Sequence, residues 1–169
     1  MKKIAILALD EANGIGINNT LPWKIQADMN IFRNATMNNI VVMGKHTYYS
    51  IQKPLKKRIN VVLSKTLFET EKDFYSEDGE TCVLFYPDLE TFYKDLEAIN
   101  LKEDKINLFF IGGKTLYESI FDECDEIFLS SIKHVYECDT FINYDFENKF
   151  LVDDIKDYPD FTFYKLIKK

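Results

Sequence analysis

Residues 110–117 read Phe110-Ile111-Gly112-Gly113-Lys114-Thr115-Leu116-Tyr117, an apolar stretch, two glycines, then a segment with helical spacing. Glycines at such a junction let the backbone turn sharply and approach a ligand, and a helix start behind them favours an anion. They also make ordinary strand-to-helix connections, and both readings stay open. What the stretch does settle is the alternation of strand and helix. Short apolar runs recur outward from it at Ile4–Leu9, Ile40–Met43, Ile59–Leu63, Thr81–Tyr86, Ile106–Ile111 and Glu126–Ile132. Continuous runs of this length suit strands buried on both faces of a largely parallel sheet. Between them lie helical spacings: Ile25, Met29, Phe32, Thr36; then Leu89, Phe92, Leu96, Ile99; then Leu116, Ile120, Phe121. The pattern predicts an α/β fold, with a mostly parallel central sheet flanked by helices and joined by right-handed crossovers. Residues 161–167 alternate with no helix before them, which predicts an antiparallel edge strand at the C-terminus. The polar stretches 66–80 and 144–160 are expected to be loops.

At 169 residues the chain has the size of one domain, 1–169. The net charge of −7 argues against nucleic acid or an anionic membrane as the main partner. Three cysteines without ligand spacing and two histidines argue against a metal site, and fit reduced thiols in the cytoplasm. The run Ile4–Leu9 ends at Asp10 and Glu11, so it is expected to be a buried strand rather than the apolar core of a leader. No stretch reaches the length of a membrane span.

Several residues could carry chemistry. With 26–36 helical, Asp28 shares a face with Ile25 and Phe32 and points at apolar neighbours. It is either a first-turn acid favoured by the helix dipole or a buried carboxylate awaiting a cationic or amidine-like ligand. Residues 13–23, Asn-Gly-Ile-Gly-Ile-Asn-Asn-Thr-Leu-Pro-Trp, form a long loop closed rigidly by Pro22-Trp23, either a connection or a lid. The third glycine of a dinucleotide fingerprint is missing after Gly14 and Gly16. Met43-Gly44-Lys45-His46-Thr47 again leads from strand to helix and could hold phosphate. Residues 53–58, Lys-Pro-Leu-Lys-Lys-Arg, are a basic cluster in an acidic chain. It is a solvated loop, or a source of one arginine that clamps a carboxylate.

In order and spacing, NGIGINNTLPW (13–23), QADMNIF (26–32), VVMGKHTYYSI (41–51), PLKKRINVVLS (54–64), FIGGKTLYE (110–118) and CDTF (138–141) resemble the dihydrofolate reductases. That resemblance implies NADPH-dependent reduction of dihydrofolate, with hydride delivered to C6 and a proton to N5, in support of one-carbon metabolism. It implies Asp28 on the pterin ring, with Leu21 and Trp23 completing the catalytic group, Trp23 by holding a water. Ile6, Ala8, Phe32, Ser50, Ile51, Leu55 and Ile111 would line the folate cleft, and Arg58 would grip the glutamate tail. The serine at 130 receives no role. Ala8, Ile15, Gly44, Lys45, His46, Thr47, Ser64, Lys65, Gly112, Gly113, Lys114, Thr115 and Leu116 would cradle NADPH, with Lys45 and Lys65 at its 2′-phosphate. A cis bond between Gly112 and Gly113 is implied as well, as are susceptibility to antifolate inhibitors and a monomeric state. The chain departs from the family pattern in three ways: Lys45 for a common arginine, Tyr48 for tryptophan, and Lys56-Lys57 for a proline–glycine turn. The rival readings are a riboflavin-pathway reductase of the same fold and a binding module without turnover.

Overall fold

In the computed structural model, which describes residues 1–99 and 105–169, the expected alternation is realised. The first strand, β1 (Lys3–Leu9), is followed by a short β2 (Gly14–Gly16) and helix α1 (Gln26–Thr36). Then come β3 (Ile40–Gly44), α2 (Lys45–Ile51), β4 (Ile59–Leu63), α3 (Lys65–Thr70), β5 (Phe74–Tyr75), β6 (Cys82–Tyr86) and α4 (Leu89–Ile99). The side chain of Ile99, expected on the apolar face of α4, lies outside the described side chains. The second half runs β7 (Leu108–Phe110), α5 (Lys114–Ile120), β8 (Glu126–Ile132), β9 (Thr140–Phe141), α6 (Phe146–Lys149), β10 (Phe150–Asp157) and β11 (Phe161–Lys168).

Among the described residues, nine strands form one sheet in the order β10-β11-β8-β1-β7-β3-β4-β6-β5, while β2 and β9 pair separately. From β8 to β6 every neighbour is parallel. Alternate residues of the same strand face opposite layers, as the continuous apolar runs require. Ala5, Val42 and Phe110 pack on one side of the sheet, and Ile4, Val41 and Phe109 on the other.

Three expectations need correction. Residues 65–70 are helical, because Ser64 caps the turn by accepting from the Leu67 N–H at 3.2 Å and Leu67 buries beneath it. The stretch 144–160 contains α6 and the eight-residue β10, so it is not a loop. β10 is the true edge, and the strand at 161–168 is antiparallel but lies one place inside it. Beyond the buried Phe150 both faces of β10 meet solvent, and a bulge between Val152 and Asp154 interrupts its register, so no alternating burial pattern marks it in the sequence.

The register also opens the sheet. β1 and β7 pair only as far as Ala5 and Phe110, and β3 and β7 only as far as Val42 and Phe110. β1 then continues beside β8 to Leu9, and β3 beside β4 to Gly44. The carboxyl ends of the two halves therefore separate, which is where α/β sheets hold ligands.

Candidate active site

The separated strand ends frame a cleft of about 1240 Å³. Ile6 and Ala8 of β1, Gly44 of β3 and Ile111 after β7 lie at its base. Helix α1 forms one wall with Asp28 and Phe32, joined by Ser50 and Ile51 of α2 and by Leu55 and Arg58 of the following loop.

Asp28 is half-buried in this wall. Its Oδ1 accepts the Ser130 hydroxyl at 2.5 Å, and no cation lies within ion-pair distance among the described residues. Burial raises the pKa of the carboxyl, against a smaller opposing effect of the Ser130 donor. A carboxylate so placed has capacity for a paired donor from the cleft. Tyr117, buried in α5, donates its hydroxyl to the Ile6 carbonyl at 2.7 Å and so braces the base from behind.

Arg58 is buried. Its Nε donates to the Lys56 carbonyl at 2.9 Å and its Nη1 to Thr36 Oγ1 at 3.2 Å, which sets the guanidinium at the end of the cleft beyond Leu55. Burial first, and the neighbouring charge of Arg33 second, lower its pKa. Asn60, fully buried, ties this loop down: Oδ1 accepts from Leu55 N–H, and Nδ2 donates to the Leu55, Arg58 and Cys82 carbonyls.

The opposite end receives two helix starts. Gly44 stands at the N-cap of α2 and Gly113 at that of α5, and among the described residues no side chain caps either, so their first amides have no side-chain acceptor there. Gly112 holds φ +110°, and its peptide to Gly113 is cis. Its carbonyl accepts from Gly44 N–H at 2.8 Å, which locks the two starts side by side. A Cβ on Gly112 would lie 2.9 Å from the Tyr117 ring, so a side chain cannot stand there. Lys45, His46 and Thr47 line the cleft from α2, and Lys114, Thr115 and Leu116 from α5. Uncapped amides, a threonine and two lysines suit a phosphate-bearing cofactor.

The dihydrofolate reductase family model matches residues 3–160. The chain belongs to that family. It is 32% identical to the dihydrofolate reductase of Mycoplasma genitalium over 161 residues, 94% of this chain and 93% of the relative. It is 36% identical to that of Drosophila melanogaster over 148 residues, 80% and 76% of the two chains. A solved dihydrofolate reductase from Enterococcus faecalis, complexed with NADP(H) and RAB-propyl, shares the fold. Its TM-score is 0.74 at 21% identity, over 99% of this chain and 96% of that one.

Most residues that the family pattern singles out come together here, Leu21 and Ile15 included. Trp23, Ser64, Lys65 and Gly112 do not line the cleft. Trp23 is buried behind it against Ile132 and Phe161, and its Nε1 has no partner among the described residues. Ser64 spends its oxygen as the cap of α3. Ser130, given no role from the sequence, holds Asp28. Its signal was weak, since it is one of two adjacent serines in an otherwise ordinary strand. Asp139 was also missed: its Oδ2 accepts from Asn18 N–H at 2.9 Å and so clips the tip of loop 13–23. That loop is less free than its glycines suggest. β2 pairs with β9, and Asn18 and Asn19 adopt the left-handed backbone of a tight turn.

Proposed function

We propose that residues 1–169 form one domain that reduces 7,8-dihydrofolate to 5,6,7,8-tetrahydrofolate with NADPH. The observation that carries this is Asp28, a carboxylate in an apolar wall with one neutral hydrogen bond and, among the described residues, no cation. Its geometry suits the paired N–H groups of a pterin ring. NADPH, when bound, supplies the hydride that reaches C6 of the substrate. Gly44 to Thr47 and Gly113 to Leu116 would hold its phosphates, with Lys45 at the 2′-phosphate. Asp28 orients the pterin ring, and its charge raises the basicity of the ring, so that N5 takes its proton from water admitted beside Leu21. Arg58 holds the glutamate tail, its fork fixed by Lys56 and Thr36. Loop 13–23, with Leu21 exposed at its cleft side, excludes bulk water when closed.

A monomer in the cytoplasm, open to antifolate inhibitors of the cleft, is the companion expectation. The test is to mix the chain with NADPH and dihydrofolate and follow the loss of the reduced-nicotinamide absorbance. Turnover with a ribosylamino-pyrimidine in place of dihydrofolate would instead support the riboflavin-type reading. Tight binding of both ligands without turnover would reduce the chain to a binding module.

A further inference from the structure

We infer that Asp10, a buried carboxylate outside the cleft, is a positioning residue that latches the root of loop 13–23 to the segment leading into β9. The inference rests on the reading of that loop as the lid of the proposed reductase.

Asp10 directly follows β1 and is 2% exposed. Its Oδ1 accepts the N–H groups of Ala12 at 2.9 Å and Gly14 at 2.8 Å, which closes the turn that starts the loop. Its Oδ2 accepts the N–H of Tyr136 at 2.9 Å and the thiol of Cys138 at 3.7 Å, on the facing segment. One carboxylate therefore joins two stretches more than a hundred residues apart in sequence. A buried unpaired charge is costly, and here three amides and a thiol offset that cost, with no cation at the carboxylate among the described residues. Burial alone would raise its pKa. The N–H donors of Gly14, Tyr136 and Ala12 outweigh that and hold the carboxyl below the usual range, so it stays ionised at neutral pH.

The junction has no slack. A Cβ on Gly14 would lie 2.5 Å from Cys138 Sγ and 3.1 Å from Asp10 Oδ1. Beyond the latch the same two segments are joined by backbone bonds, from Ile142 N–H to Asn13 and from Asp139 N–H to Gly16. The other root of the loop is also within reach. Tyr136, whose amide Asp10 holds, packs its ring 5.4 Å from that of Trp23. Asp10 thus fixes the first root directly and the second through Tyr136, although it does not line the cleft.

Asp10→Asn keeps the shape but can accept at only one end. Whichever way the amide turns, either Tyr136 or the Ala12–Gly14 pair faces an NH₂ group. The test compares wild type and Asp10→Asn where circular dichroism shows both folded. Trp23 is the only tryptophan in the chain, so its quenching by acrylamide reports the loop root. In Asp10→Asn quenching should rise about twofold, and kcat with dihydrofolate should fall by about tenfold to a hundredfold, as expected for a misplaced loop. NADPH affinity should stay within about threefold, because, of the residues that would hold it, only Ile15 lies on this loop and neither helix start touches Asp10. Cys138→Ala, which leaves all three amides bonded, should behave as wild type. Unchanged quenching and turnover in Asp10→Asn would overturn the latch. Raised quenching with unchanged turnover would keep the latch and overturn the lid. Should Asp10→Asn fail to fold, hydrogen exchange of the wild type decides. The Ala12, Gly14 and Tyr136 amides should open as one unit, with protection within about threefold, whereas a spread of about a hundredfold would overturn the latch.

Discussion

Asp28→Asn tests the proposed chemistry most directly. The amide fills the same space and can still accept from Ser130, but it removes the charge and turns one of two acceptor oxygens into a donor. A cationic pterin would then face a neutral partner in a half-buried wall. Breaking one side of a buried charged pair costs about 3–5 kcal/mol. That corresponds to a fall in kcat/KM of about 10²- to 10⁴-fold at neutral pH. The deficit should shrink as pH drops, because solvent acid then protonates the substrate without help. NADPH affinity should hold, since the uncapped starts of α2 and α5 lie at the far end of the cleft. Stability gives a second readout, and its sign follows from the raised pKa. Burial disfavours the ionised form in the folded state, so Asp28 stabilises where it is protonated. It becomes a cost as pH rises from the ordinary value of 3.8 through its raised folded value. Asp28→Asn should therefore match or trail wild type in strong acid and exceed it in urea midpoint above that window. Steady-state kinetics from acid to neutral pH, beside urea melts at the same values, would check both. Near-normal turnover at neutral pH would refute the role given to Asp28 and revive the riboflavin-type alternative.

Arg58→Lys should raise the KM for dihydrofolate about tenfold to a hundredfold, since an ammonium cannot hold Lys56 and Thr36 and also grip a carboxylate in two parallel bonds. A pterin without the glutamate tail should suffer far less, and equal losses would make Arg58 purely structural. Lys45→Ala should weaken NADPH about tenfold while sparing NADH, and Lys65→Ala should do less, because Lys65 does not line the cleft. Equal losses for both nucleotides, measured by fluorescence titration, would remove the 2′-phosphate assignment. Asn60→Leu strands one amide and three carbonyls in the buried loop below Arg58. It should lower unfolding free energy by on the order of 4 kcal/mol in urea melts.

Local pattern was enough for the strands that bury both faces. Ile4–Leu9 and Ile40–Met43 are apolar without interruption, and Ile59–Leu63 is broken only by Asn60, because the layers on both sides of the sheet need them so, and they folded where expected. The Gly112-Gly113 junction was likewise legible, because only glycine tolerates φ +110° pressed against Tyr117. Ordered motifs named the family and, with it, Asp28 and Arg58. Tertiary structure alone decided the rest. β10 carries charges on an exposed edge, so its residues read as a loop until β11 offers a partner. The family resemblance gave Ser64 a place in the NADPH cradle, yet its oxygen is taken by the first turn of α3. Ser130 and Asp10 are an unremarkable serine and an acid at a strand end. Their roles arise from partners 102 and 126 residues away, at Asp28 and Tyr136, and spacing along a chain cannot encode a hydrogen bond made only when distant strands meet.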